Sequence, residues 1–324
     1  MQLRSDDVER VDRHLPLNRL DQHRSSESTY LVAWEDTLPV GHAHIAWSET
    51  HLGLPELQDV YVSPAHRRRG VATSLTHAAE DEARTRGWTQ LSLSVSRDGN
   101  PDARRLYEQL GYADAGVEPV RVSGVIMLRG VPFEVDDTLV YLTKRVTTQI
   151  VFETHSTSED NERGIGTGWL GGTLSATGRE QAMRLAARRR RDGIERVYAS
   201  DLNRAVQTAE LAFAGSGIPV VLDWRLRECD YGTMNGMPRV QLDEQRPRRV
   251  DVPFPGGESW REAVARVGTF LDELATSHDR RVLLIGHVAT RWALDHYLLD
   301  VPLEELVHAE FAWREGWEYT LPTP

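Results

Sequence analysis

Two histidines carry the most legible chemistry in this sequence. His155 follows the apolar run Ile150-Val151-Phe152, and His287 follows Val282-Leu283-Leu284-Ile285. A strand that ends in a histidine delivers it to the carboxyl edge of an α/β sheet, where open sheets of this kind bind ligands. A neutral imidazole near pH 7 can attack phosphorus, while a second histidine and an arginine hold the phosphoryl oxygens. Arg204, in the stretch SDLNRAVQTA, and Glu228, in LRECDYG, lie between the two histidines in the chain. A separate anion site is written in residues 60–75, VYVSPAHRRRGVATSL. There an alternating segment with Val60 and Val62 runs through a proline-marked turn into Arg67-Arg68-Arg69-Gly70-Val71-Ala72, which opens a helix. Consecutive amides at a helix start, with small residues that allow close approach, suit a pyrophosphate.

The elements that must hold these groups follow from periodicity. Residues 30–34 and 40–47 alternate and read as an antiparallel hairpin, with His42 and His44 on one face; without a third ligand nearby in sequence, no metal is expected there. Residues 56–62 and 91–95 read as strands. Between them Val71, Leu75, Ala78, Ala79 and Ala83 form the apolar stripe of a helix that stops at Gly87. Asn100-Pro101 starts a second helix as N-cap and first helical residue, and Gly111 ends it. Residues 139–142 read as the last strand of a first domain, and residues 144–148 as a short polar connector. Beyond it, strands alternate with helices, which indicates a mostly parallel sheet covered on both faces. Thr177 and Glu180 fit a capping box, and Arg188 to Arg191 a solvated helix end.

Length and charge set bounds. A chain of 324 residues suits two domains, expected at 1–146 and 147–324. With 38 basic and 49 acidic residues the net charge is -11, so neither nucleic acid nor an anionic membrane is an expected partner. Lys144 is the only lysine, and the single cysteine, Cys229, leaves no internal disulfide and no thiolate zinc site. The charged opening MQLRSDDVERVDRH and the lack of a long apolar run lead to an expected cytoplasmic location.

The spacing Arg-x-x-Gly-x-Ala over 67–72 resembles the coenzyme A pyrophosphate loop of the GNAT (acyl-CoA N-acyltransferase) superfamily. Asn100-Pro101 followed by LYEQLGY at 106–112 resembles that family's second motif, and the likeness covers about residues 1–145. It implies a mixed, mostly antiparallel sheet with helices. Acetyl-CoA would lie against a splayed strand at Val60 and Val62, with its pyrophosphate on the amides of Arg67 to Ala72 and Asn100 close by. An amine acceptor would attack the thioester directly, which requires a base and an acid. Tyr107 is the candidate acid. Glu56, eleven positions before Arg67, is the candidate base, with Asp59 as its rival.

The ordered set His155, Arg204, Glu228 and His287 resembles the histidine phosphatase (phosphoglycerate mutase-like) superfamily over about residues 148–318. That likeness implies a three-layer α/β fold and a phosphorylated small-molecule substrate. His155 would become phosphorylated, while Arg204, His287 and Asn161 bind the phosphoryl group. Glu228 would protonate the leaving oxygen and then activate water. The family opens with Arg-His-Gly, whereas here Thr154 and Ser156 flank the histidine, so one guanidinium is missing unless Arg163 or Arg227 replaces it. Two readings therefore stand: a bifunctional acetyltransferase and phosphomonoesterase without metal, or an acetyl-CoA-binding domain joined to a degenerate, non-catalytic phosphatase-like module.

Overall fold

The computed structural model describes residues 5–15, 28–128, 131–309 and 312–324, and the chain divides into two compact units, Met1–Val146 and Thr147–Pro324. Among the described residues no helix is long and apolar enough to cross a membrane.

The first unit begins with α1 (Ser5–His14); its Val11, and Leu15 just after it, bury against side chains of β1 (Ser28–Glu35). Strand β1 pairs antiparallel with β2 (Leu38–Ala46), and β2 with β3 (Glu56–Val62). Then come α2 (Val71–Thr85), β4 (Gln90–Ser96), α3 (Pro101–Gln109), β5 (Ala113–Asp114), β6 (Val120–Leu128) and β7 (Val131–Arg145). The sheet runs β1-β2-β3-β4-β7-β5, with β6 on β7 alone. Among the described residues its one parallel pair is short. Strands β3 and β4 are in register only at Glu56↔Ser92 and Leu57↔Leu93. Beyond Leu57 the two strands part, and the backbone of residues 58–62 is freed from its neighbour on that side. Asp59, at φ 54, sits at the departure, opposite an irregularity in β2 between His42 and His44.

The apolar stripe of α2 packs on this sheet through Leu75, Ala79 and Ala83, together with Leu91, Leu93 and Leu142. His42 and His44 face inward, and the His42 ring stacks between Tyr30 and Tyr61 at centroid distances of 5.4 and 5.5 Å.

Residues 144–148, expected as a polar connector, are strand. Arg145 pairs with Gln90, Thr147 with Pro322, and only Val146 separates β7 from β8 (Thr147–Thr154). The polarity misleads because Lys144 is buried. Its Nζ lies 3.0 Å from Oε1 of the buried Glu80, and His77 Nδ1 and Arg84 Nη2 reach Oε2 of the same carboxylate at 3.3 and 3.7 Å. Replacing Lys144 with Met would leave that carboxylate short of its best partner. A loss of about 3 kcal/mol in urea unfolding of the full chain is expected. Unmodified Lys144 after incubation with acetyl-CoA, read by mass spectrometry, is the companion expectation.

In the second unit β8 leads into α4 (Glu159–Glu162), β9 (Ile165–Gly166), α5 (Ala176–Arg189), β10 (Arg196–Ala199), α6 (Asn203–Phe213) and β11 (Val220–Leu222). They are followed by β12 (Met237–Pro238), α7 (Arg239–Gln245), α8 (Trp260–Thr276), β13 (Arg281–Gly286), α9 (Val288–Leu299), α10 (Leu303–Leu306) and β14 (Trp317–Pro322). The main sheet is β11-β10-β13-β8-β14, parallel except for β14. One face is covered by α8 and α9, around Trp260, Phe270 and Trp292; the other by α5 and α6, around Leu185, Ala209 and Phe213.

Two local readings change. The cap of α5 is Ser175, whose Oγ accepts from Gly178 N at 3.1 Å; the chain is already fixed there by Ser175 N donating to Thr157 O, so Thr177 lies inside the helix. The arginines at its end are not simply solvated. Arg188 and Arg189 clamp the buried Glu153 at 3.3 and 3.0 Å, and Arg190 donates to Ala212 O at 2.6 Å. Cys229 is fully enclosed.

Candidate active sites

Strands β8 and β13 are neighbours, and their register puts Thr154 opposite Gly286. Their next residues, His155 and His287, therefore leave the sheet side by side, with ring centroids 4.9 Å apart. Arg204, in the first turn of α6, reaches both. Its Nε donates to His155 Nε2 at 3.3 Å and its Nη2 to His287 Nδ1 at 3.3 Å. A guanidinium only donates, so both of those nitrogens are lone-pair acceptors. The protons then sit on the opposite nitrogens. His155 Nδ1 donates to Ser156 O at 2.7 Å, and His287 Nε2 donates to Ser200 Oγ at 3.0 Å. Both rings are neutral, and the lone pair of His155 that Arg204 meets is on Nε2.

The guanidinium is held from behind by Gly168 O at 2.9 Å and Leu170 O at 3.4 Å. Gly168 has φ 54, and a Cβ there would fall 1.8 Å from Asn235 Oδ1, so only glycine bends the loop to present that carbonyl.

Burial, reinforced by the Arg204 charge, lowers the His155 pKa from 6.5 to about 3, and burial holds His287 well below its ordinary value for the same reasons. Burial also lowers Arg204, against the opposing pull of Glu228. A histidine that stays neutral when folded but protonates when unfolded binds fewer protons in the native state, so stability falls as pH drops below 6.5 and continues to fall toward about 3. Urea midpoints of the full chain should decline through this window, and His155→Ala should flatten the decline.

Glu228 lines the same cavity, of about 500 Å³, as Thr154, His155, Asn161, Arg204 and His287. Its Oε1 accepts from Cys229 N at 2.9 Å and from Ala289 N, in the first turn of α9, at 3.1 Å. Asn161 also caps α4: its Oδ1 accepts from Ser158 N at 3.0 Å, which leaves its Nδ2 to act as a donor. Neither arginine considered as a replacement for the missing guanidinium lines the cavity. Arg163 pairs with Asp160 at 2.8 Å, and Arg227 makes a two-point contact with Asp201 at 2.6 Å while stacking on Trp169. The cations that do line it, beyond Arg204, are Arg239 and Arg246 of α7 and the turn after it. Sequence reasoning missed both, because nothing in RVQLDEQR sets α7 apart from any short solvated helix.

In the first unit a cavity of about 780 Å³ opens where β3 and β4 part. It gathers Val60, Val62, Arg67, Arg68, Gly70, Val71, Ala72, Asn100 and Tyr107. Gly70, at φ 82, is the N-cap of α2 and offers no side-chain acceptor to the first-turn amides. Arg67 Nε donates to Val62 O at 3.1 Å, which ties the loop to the freed strand. Asn100 Oδ1 accepts from Ala103 N at 3.0 Å as the N-cap of α3.

Two expected members lie apart from this cavity. The Arg69 guanidinium turns to Glu35, 2.6 Å away. Glu56 is buried at the paired end of β3, where its Oε1 accepts from Ser94 Oγ at 3.0 Å and burial raises its pKa. Tyr107 is buried on α3 with its ring edge-on to Tyr112, and burial pushes its pKa up to about 12.

Comparison with known proteins adds independent information. Residues 150–313, about half of the chain, match the histidine phosphatase superfamily (branch 1). The chain belongs to this superfamily. Residues 2–112 match the acetyltransferase (GNAT) family, so the histidine phosphatase domain is preceded by a GNAT acetyltransferase domain. Phosphoserine phosphatase 1 of Hydrogenobacter thermophilus is 31% identical over 166 residues, covering 48% of this chain and 79% of that protein. A 2,3-bisphosphoglycerate-dependent phosphoglycerate mutase of Lachnoclostridium phytofermentans is 27% identical over 202 residues, covering 49% and 81%. The histidine phosphatase domain is thus related to phosphoserine phosphatases and phosphoglycerate mutases. Within it the parallel pair β8–β13 and helix α6 bring His155, Arg204 and His287 together, and the loop after β11 adds Glu228.

Proposed function

We propose that this protein is bifunctional: a phosphomonoesterase acting through a phosphohistidine, and an acetyl-CoA-dependent N-acetyltransferase. The observation that carries the first activity is Arg204, whose hydrogen bonds to both histidine rings put the His155 lone pair on Nε2; when a phosphoryl group arrives the guanidinium passes to its oxygens and releases that lone pair. In the first step that nitrogen bonds to phosphorus and the bond from phosphorus to the ester oxygen breaks, while Glu228 supplies the proton that the leaving oxygen takes up. In the second, Glu228 takes a proton from water, the water oxygen bonds to phosphorus and the P–N bond breaks, which releases inorganic phosphate. Arg204 and Asn161 donate to the phosphoryl oxygens throughout, and His287 joins them once its Nδ1 takes a proton on arrival of the phosphoryl group, so charge developing on those oxygens meets placed donors.

For the first unit, the parting of β3 and β4 beside the uncapped α2 supports acetyl-CoA binding, with pyrophosphate on the amides at Gly70 to Ala72 and the pantetheine arm along Val60 and Val62. The amine nitrogen attacks the thioester carbonyl, the C–S bond breaks, and a phenol proton from Tyr107 goes to the thiolate sulfur. Tyr107 is protonated at rest at every working pH and, after giving its proton to sulfur, regains one from solvent as Glu56 releases the one it took. Glu56 takes the ammonium proton through water, and its raised pKa makes it the better base.

A second reading, a phosphate-binding module without turnover, draws on one observation: Thr154 stands where a guanidinium would complete the clamp. Steady-state hydrolysis of p-nitrophenyl phosphate separates the two readings, since only a catalyst turns over. Thiol release from acetyl-CoA with a panel of amines tests the first unit. Tyr107→Phe should lower that rate on the order of a hundredfold while phosphate release stays unchanged; equal thiol release by the variant would remove Tyr107 from its role.

A further inference from the structure

The cavity at His155, of about 500 Å³, is larger than a phosphoryl group needs, and the phosphomonoesterase reading gives part of its wall no task. That part is apolar and consists of Ile165, Leu242, Val288 and Trp313. Trp313 differs from every other tryptophan of this unit. Trp260 and Trp292 face each other, while Trp169, Trp224 and Trp317 each lie against a guanidinium. Trp313 is 55% exposed, and its ring meets no hydrogen-bond partner, no second ring and no cation among the described residues. An indole left open on a cavity wall gains both by losing water and by meeting another π-face.

The turn that carries Trp313 is held in place. Arg189 Nη2 donates to Glu315 O at 3.3 Å, and Arg188 Nη1 lies 3.3 Å from Glu315 Oε1. Gly316, at φ 83, lets the chain pass this pair, since a Cβ there would collide with the Arg189 guanidinium. The Arg314 guanidinium sits 5.1 Å from the centroid of the Trp317 ring, where β14 begins. Arg314 and Glu315 are thus engaged outside the cavity, and the residue before them is the one left to line it.

Charge selects what the ring receives. Asp243, the other carboxylate lining the cavity beside Glu228, is taken by Arg246 at 2.7 Å and Arg239 at 3.5 Å. Glu228 is held by two amides for its own role. An ammonium brought to the indole would therefore find no free counter-ion, whereas an uncharged ring needs none.

We propose that the phosphomonoester processed at His155 carries an uncharged planar ring, which stacks on the indole of Trp313 while the phosphoryl group lies at the histidines. This substrate class rests on the phosphomonoesterase reading, and its test is a binding measurement that needs no turnover. The full chain is titrated by calorimetry with phenylpropylphosphonate, cyclohexylpropylphosphonate and trimethylammoniopropylphosphonate. Burial of apolar area alone favours the cyclohexyl ligand, so the sign of the difference is diagnostic. The phenyl ligand should bind about fivefold tighter than the cyclohexyl one, and the cationic ligand more weakly than either. Trp313→Ala should abolish the phenyl preference, and Trp313→Tyr, which keeps a π-face, should retain it.

Equal or tighter binding of the cyclohexyl ligand to the natural protein overturns the proposal without any variant. So does tightest binding of the cationic ligand, an undiminished preference in Trp313→Ala, a loss as complete in Trp313→Tyr as in Trp313→Ala, or no heat from any of the three. Absence of p-nitrophenyl phosphate turnover would end the phosphomonoesterase reading on its own, while the phenyl and cyclohexyl pair would still report on the ring site.

Discussion

Replacing His155 with alanine should lower p-nitrophenyl phosphate hydrolysis by on the order of 10⁴-fold or more, because the covalent route disappears with its nucleophile. The acid-labile phosphoprotein formed from a labelled phosphomonoester should vanish in the same variant. Glu228→Gln should behave in the opposite way toward that label. It lacks the group that activates water, so turnover falls while the phosphohistidine accumulates with a good leaving group such as p-nitrophenolate. Acetyl transfer should be untouched in both variants. Residual turnover in His155→Ala near the natural rate would show that water attacks phosphorus directly and that the paired imidazoles only bind.

Thr154→Arg should raise kcat/KM for a generic phosphomonoester by about a hundredfold, equivalent to about 3 kcal/mol of transition-state stabilisation from one preorganised donor. Thr154 ends β8, pairs with Gly286 and lines the cavity, so the new guanidinium would start beside the His155 ring. Arg163 and Arg227 do not substitute for it, since each is committed to a carboxylate outside the cavity. The gain has an opposing term: a second cation near the buried Arg204 lowers stability until a phosphate arrives, so phosphate or vanadate should raise the melting temperature more in the variant than in the natural protein. An unchanged or lower rate would mean that Arg239 and Arg246 already supply the charge the clamp lacks.

Much of the architecture was legible in the chain because it depends on local rules. Alternation marked β1 to β4, the stripe from Val71 to Ala83 marked α2, and Asn100-Pro101 marked the start of α3. The apolar runs ahead of His155 and His287 placed both residues at strand ends. The errors arose where a distant partner overrode a local signal. Lys144 looks like connector sequence until Glu80, far earlier in the chain, is seen to neutralise it within the core. The arginines ending α5 look solvated until Glu153 is found buried beneath them. The Arg69 amide belongs to the loop expected to hold pyrophosphate, whereas its guanidinium pairs with Glu35 of β1.

The sequence by itself determined which side chains could do chemistry, for that depends on residue type, and which ends of which elements would carry them, for that depends on periodicity and capping. Only the tertiary structure decided how they meet. The parallel register of β8 with β13 sets the two imidazoles 4.9 Å apart, and one guanidinium fixes both tautomers. The brief pairing of β3 with β4 opens the first cavity, and packing brings Arg239 and Arg246 to the second. These are contacts between residues far apart in the chain. Their geometry is set by sheet register and side-chain packing, and neither leaves a periodic mark in the residues that make them.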